Sequence, residues 1–202
     1  MKRIIMIRHL LTLQNGAKRY IGRRTDEDIL PGQEDIAKRA SENIRSLIVG
    51  EAAYFTGPMK RCRNTAGLLF PDRVPTVIED LTEIDFGEFE GKDHESLKED
   101  KTYKEWLESG ATVSFPKGED REAFIKRSMD CFYEICDLFE DNDTAVIICH
   151  GGNIMAIMST LTGKDYYGFM AGNLEGYTVD IETYDERISV ISYDCFGGGD
   201  LS

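Results

Sequence analysis

A three-layer α/β/α sandwich around a mostly parallel sheet is the fold this sequence predicts, on three observations. Ile4-Ile5-Met6-Ile7 and Ala145-Val146-Ile147-Ile148 are short, continuous apolar runs rich in β-branched residues, the pattern of strands covered on both faces. Ile36, Ala40, Ile44, Leu47 and Ile48 recur at helical spacing, which gives an amphipathic helix one apolar face. Strand runs that alternate with such stripes mark a sheet wound with helices on both sides. The 202 residues, 41% hydrophobic and 30% charged, suit one domain with a sizeable core. No linker or internal repeat divides residues 1–202.

In chain order, the first strand runs from Ile4 into Arg8-His9. Ligands of open α/β sheets sit beyond the carboxyl ends of the strands, so both residues would face a site. Residues 10–31 show no periodicity and are punctuated by Gly16, Gly22 and Pro31-Gly32. They read as a loop with Asn15 and Arg23 at the pocket mouth. After the helix over 36–48, Gly50 serves as a stop. Ala53–Thr56 is a short strand running into Gly57-Pro58, and a proline favours the start of the helix that carries Arg61. Val74–Ile78 reads as another strand.

The polar stretch 92–118, anchored by Trp106 and Leu107, is expected to form one or two short helices inserted as a cap. Phe124, Ser128, Cys131, Ile135 and Phe139 mark a long amphipathic helix with Asp120 as its cap, closed by Asp141-Asn142-Asp143. Ala145–Cys149 then runs into His150-Gly151-Gly152, and Ile154, Ile157, Met158 and Leu161 continue as a helix. His150 thus sits where a strand becomes a helix, and free N–H groups with the helix dipole make an anion site there. Gly176–Ile181 and Ile188–Tyr193 form a hairpin around Asp185-Glu186, followed by a tail from Phe196 to Gly199.

The net charge of −13 excludes nucleic acid and anionic membrane as favoured partners. A phosphate pocket would have to be a local positive island, for which Arg8, Lys18, Arg19, Arg23 and Arg24 are available. The five cysteines lack paired spacing, as expected of free thiols in a reducing compartment. No apolar stretch approaches membrane-span length and no secretory apolar region opens the chain, so a cytoplasmic location is the default. No metal-ligand spacing, P-loop or G-x-G-x-x-G occurs. The expectation is no metal and no cofactor.

Arg8-His9-Leu10-Leu11-Thr12-Leu13-Gln14-Asn15 resembles the R-H-G-x-T-x-x-N signature of the histidine phosphatase superfamily, the phosphoglycerate mutase-like proteins, with Leu10 in place of the family glycine. Gly22-Arg23-Arg24-Thr25-Asp26 resembles the loop G-R-x-D-x-P-L, with the proline displaced. Pro58-Met59-Lys60-Arg61-Cys62-Arg63-Asn64-Thr65-Ala66 resembles P-L-x-R-A-x-Q-T-A. Leu81 to Gly91 resembles L-x-E-x-x-F-G-x-x-E-G, and Phe115-Pro116-Lys117-Gly118-Glu119 resembles a segment common in the phosphatase branch. Asn173 matches a family asparagine before the following strand. The resemblance implies a phosphate clamp of Arg8, Arg61 and His150 around the nucleophile His9, with Glu83 as general acid. The residues alone would leave Glu83 level with Asp80, Asp85, Glu88 and Glu90. Glu90-Gly91 is read as a turn, and His94 as a surface or cap residue.

Phosphoryl transfer through histidine needs one neutral ring nitrogen in line with the P–O bond and an acceptor that fixes the other. A backbone carbonyl near Gly16 or beyond could be that acceptor, and the sequence leaves the choice open. Arg8 and Arg61 supply planar forks; His150, if protonated, and the Gly151 N–H add donors. Glu83 must carry a proton to release the alcohol, which burial favours and nearby arginines oppose, a balance the sequence leaves open; once ionised it would activate water.

The function expected is hydrolysis of a small phosphomonoester. Alternatives are an α-ribazole-5′-phosphate phosphatase of cobalamin assembly, a phosphoglycerate mutase, and a weakly catalytic phospho-ligand binder. The mutase is disfavoured because the stretch after Glu83 is short and acidic (Glu88, Glu90, Asp93, Glu95, Glu99, Asp100). Leu10 is expected to narrow one wall of the pocket. The oligomeric state is left open.

Overall fold

In this computed structural model, which describes residues 1–110, 113–141, 143–184 and 187–197, β1 (Lys2–Arg8) lies inside a six-stranded sheet. Its neighbour β4 (Thr144–Cys149) runs parallel to it, with Ile4 opposite Ala145 and Arg8 opposite Cys149. β2 (Ala52–Thr56) and β3 (Thr76–Val77) continue the parallel half. On the other side β5 (Gly176–Tyr184) and β6 (Arg187–Phe196) are antiparallel, giving the order β3-β2-β4-β1-β5-β6.

Two helix layers cover this sheet, and the pleat decides what each receives. Ile4, Met6, Ile147 and Cys149 pack with Phe132 and Ile135 of α6 (Arg121–Asp137) and with Ile154 and Ile157 of α7 (Gly151–Thr162). Ile5, Ile7, Val146 and Ile148 pack on the opposite face with Ala37 and Ile44 of α2 (Glu34–Ser46) and Cys62 and Leu69 of α3 (Lys60–Leu69). A third cluster joins Phe124 to the 92–118 stretch, where α4 (His94–Leu97) and α5 (Lys101–Glu108) form. There Tyr103 and Trp106 stack with centroids 5.9 Å apart.

Several expectations need correction. Leu107 is 46% exposed; the buried partner of Trp106 is Tyr103, one helical turn earlier. The 10–31 loop contains a one-turn helix, α1 (Leu13–Gly16), nucleated by the Thr12 side chain accepting the Asn15 N–H. β3 is two residues long, and Val74 is 96% exposed. α2 stops at Ser46, ahead of Gly50, and α6 stops at Asp137, ahead of Asp141. Asp120 caps α6 as expected, accepting the Ala123 N–H. The hairpin turn at Asp185-Glu186, Asn142 and the tail beyond Gly197 lie outside the described residues. All five cysteines are free. No helix among the described residues is long and apolar enough to cross a membrane.

Candidate active site

His9 leaves the end of β1 and is tied on every side. Its N–H donates to the Cys149 carbonyl at 3.1 Å, and its carbonyl accepts from Asn173 Nδ2 at 2.7 Å. Its ring Nδ1 lies 2.7 Å from the carbonyl oxygen of Leu10. A carbonyl only accepts, so the proton sits on Nδ1 and the Nε2 lone pair is left free. The acceptor is therefore the next residue's own carbonyl, in place of one near Gly16 or beyond. Burial, then the charge of Arg61, pushes the His9 pKa down to about 3, so the ring is neutral at ordinary pH.

Leu10 explains how that carbonyl is aimed. Its N–H donates to Thr65 Oγ1 at 2.9 Å, and the Thr65 hydroxyl donates to the Arg61 carbonyl at 2.6 Å. The Leu10 side chain is 1% exposed and packs with Ala37, Ile44 and Cys62 under the sheet. It lines the core, and the expected pocket wall is not there. Its φ is not positive, so leucine fits where the family has glycine.

Beside His9, the His150 ring stands 5.2 Å away, centroid to centroid, at 68°. His150 caps the start of α7 and is fully buried. Burial first, then Arg61, His9 and Arg8, lowers its pKa well below the usual value. The neutral ring is therefore the favoured form of His150, which bears on the condition that it act as a protonated donor. Its Nδ1 accepts from Arg61 Nε at 3.3 Å. Arg61 is 0% exposed and also donates to the carbonyls of Thr25 (2.8 Å) and Gly22 (3.1 Å). Three of its five N–H donors are used in these bonds.

Arg8 donates to the Ala171 carbonyl at 2.7 Å, while its buried Nε has no partner. Burial lowers its pKa, and the charges of Glu83 and Glu175 oppose that. Gly151 lies against this guanidinium: a Cβ there would stand 3.6 Å from Arg8 Nε. Glu83 accepts from the Gly152 N–H at 3.0 Å and from the Ile84 N–H at 2.9 Å. The first turn of α7 therefore positions the Glu83 carboxyl group. Gly152 is required for this approach, since a Cβ would collide with Glu83 Oε1 and come within 3.0 Å of Phe124 Cζ. Behind Glu83, Asn153 and Arg127 hold the Thr82 carbonyl at 3.1 Å each, and Arg127 pairs with Glu119 at 2.8 Å.

The structure brings His9, Arg8, Arg61, His150, Glu83 and Gly151 together. No described contact ties Asn15 or Arg23 to them. Asn15 sits on α1 with its buried Oδ1 unpartnered, and the exposed Arg23 lies between the two carbonyls that hold Arg61. Arg24 pairs with Asp85 at 2.7 Å and so ties its loop down. His94 Nδ1 meets the Tyr103 hydroxyl at 3.1 Å, in the α4–α5 region.

A cavity of about 360 Å³ opens beside Arg8, Glu83, Gly151 and Gly152. Sequence reading missed its walls, because aromatics from five separate stretches converge there only in the fold. A larger depression of about 520 Å³ beside α2, lined by Arg39, Asn43, Leu174 and Phe196, holds none of these groups. Among the described residues, no three His, Cys, Asp or Glu side chains form a group that could hold a metal ion.

Comparison with known proteins gives the family. The family profile described as "Histidine phosphatase superfamily (branch 1)" matches residues 4–192. The "Putative phosphoserine phosphatase 2" of Hydrogenobacter thermophilus is 30% identical over 169 residues, covering 81% of this chain and 80% of that one. Two solved structures share the fold. A mutant phosphoserine phosphatase of Entamoeba histolytica in complex with phosphoserine has TM-score 0.77 at 24% identity, covering 96% of each chain. The α-ribazole phosphatase of Shigella flexneri has TM-score 0.77 at 22% identity, covering 93% of this chain and 94% of that one.

Proposed function

Since the chain belongs to the histidine phosphatase superfamily and is a phosphatase, we propose that it hydrolyses a small phosphorylated metabolite through a phosphohistidine at His9. The observation that carries this is the His9 Nδ1 bond to the Leu10 carbonyl. It leaves a neutral Nε2 beside buried arginine donors, one of which, Arg8 Nε, has no partner. A buried N–H left unpaired is costly, and a phosphoryl oxygen would satisfy it.

In the first step His9 Nε2 attacks phosphorus and the ester P–O bond breaks. Arg8, Arg61 and the Gly151 N–H hold the equatorial oxygens. A dianion beside His150 offsets the burial that keeps it neutral, so it gains a proton and joins the donors. Glu83 gives its proton to the leaving alkoxide. In the second step Glu83 takes a proton from water, the hydroxide attacks phosphorus, the P–N bond breaks, and inorganic phosphate leaves.

α-Ribazole-5′-phosphate, an ester with a fused aromatic ring, is the second reading, favoured by the aromatic cavity walls. The mutase reading gains no support from the acidic stretch after Glu83, and the weak-binder reading gains none from the convergence of His9, Arg61 and His150. Rapid quench with ³²P-labelled phosphomonoesters tests the mechanism. Acid-labile, base-stable label on the peptide carrying His9 is expected. Label on serine or aspartate would overturn it.

A further inference from the structure

Six aromatic side chains, Tyr20, Phe86, Trp106, Phe115, Tyr166 and Tyr167, wall the cavity beside Glu83. Planar walls of this kind suit a flat ring, and about 360 Å³ is more room than a three-carbon ester fills. Trp106 is 8% exposed and leaves its indole N–H buried without a partner, an unmet donor in the same wall.

One further cation reaches this cavity. Arg121 lines it, with its guanidinium 5.5 Å from the Tyr166 ring centroid. It makes no ion pair or hydrogen bond through its side chain among the described residues, in a chain whose acids outnumber its bases 37 to 24. It is also the first residue of the 17-residue α6, where the helix dipole disfavours a positive charge. Helix stability therefore gives no reason for an arginine there. Tyr166 lines the same cavity as Arg121 and Glu83, and its hydroxyl has no hydrogen-bond partner among the described residues. Arg121 and the carboxylate that serves the leaving oxygen thus line one cavity.

We propose that Arg121 is a specificity residue that binds a carboxylate on the leaving alcohol, and that this alcohol carries a flat ring between the aromatic walls. The preferred substrate is then a phosphomonoester of a ring-bearing hydroxy acid. The inference rests on the phosphatase reading, but its test also has an arm that needs no turnover.

Benzyl phosphate and 4-carboxybenzyl phosphate are compared, with phosphoserine as the compact acid. The wild type should favour the carboxylated ring ester over benzyl phosphate by about tenfold or more in kcat/KM, as charge-assisted hydrogen bonds allow. Arg121→Met should bring that preference close to one while leaving benzyl phosphate within about threefold. Arg121→Lys should restore part of it. The non-hydrolysable benzylphosphonate and 4-carboxybenzylphosphonate should show the same ratio by calorimetry. Equal losses on both esters in Arg121→Met, no discrimination by the wild type, or a preference for phosphoserine over both ring esters would overturn the assignment. Discrimination among the phosphonates with no turnover of any ester would keep Arg121 and remove the hydrolase reading.

Discussion

At the scale of single residues, two side chains bear opposite kinds of test. Among the described residues the Glu83 carboxyl group is hydrogen-bonded only to the backbone N–H groups of Ile84 and Gly152, so Glu83→Gln should keep the side chain's size, lose one of these bonds and remove proton transfer. A loss of about 10²–10⁴-fold is expected for alkyl phosphates, and a much smaller one for aryl phosphates, whose leaving groups need little protonation. Equal losses in single-turnover phosphorylation would mark Glu83 as structural. Leu10 is the reverse case. The resemblance placed a family glycine there and suggested a pocket wall, yet the side chain is buried in the α2–α3 layer. Leu10→Ala should cost about 2–5 kcal/mol, as buried leucine truncations do, and leave the ranking of substrates unchanged. Denaturant melts and a substrate panel check both halves. Sequence could place Leu10 beside the nucleophile but could not tell which way it faces, because a loop residue after a strand has no periodicity to read.

At the scale of elements, the start of α7 does two jobs. Gly151 gives Arg8 a flat surface, and Gly152 lets Glu83 reach the helix N-terminus. Gly152→Ala should therefore displace the carboxylate, and a misplacement near 1 Å costs about 10²-fold in rate. Circular dichroism should show the fold retained, and phosphate or vanadate affinity should change far less than kcat. An unchanged kcat would refute the steric account. This junction was legible in advance, because an apolar run ending in His150-Gly151-Gly152 before a helical stripe has a single physical reading. So were β1, β4, α2 and α6, whose apolar residues carry the period of their element. α1 escaped because one turn held by the Thr12 cap has no period. β3 was overestimated because Val74 is apolar yet exposed. Arg121 and the aromatic walls escaped for a different reason: they converge from distant stretches, and only the packing of α5 and the loops against α6 and α7 brings them together.

At the scale of the whole molecule, folding drives two imidazoles into a cationic island within a chain of net charge −13, and stability should record that in its pH dependence. His9 falls to about 3 in the folded chain, and His150 well below its ordinary value, whereas both titrate near 6.5 when unfolded. Below pH ~6.5 the unfolded chain therefore binds protons that the folded chain refuses. Stability contributed by each neutral ring is fully present above ~6.5 and is lost as pH falls toward the folded values. Each histidine contributes a slope of about 1.4 kcal/mol per pH unit in that window. Urea melts from pH 7.5 to 4.5 should show wild-type stability falling faster than that of His9→Asn, by about this slope, once the carboxylates common to both are subtracted. Saturating phosphate should raise wild-type stability across the range, since binding stabilises the folded chain. Identical slopes for wild type and variant would mean that His9 takes up protons freely when folded. The neutral nucleophile derived from its bond to Leu10 would then be wrong.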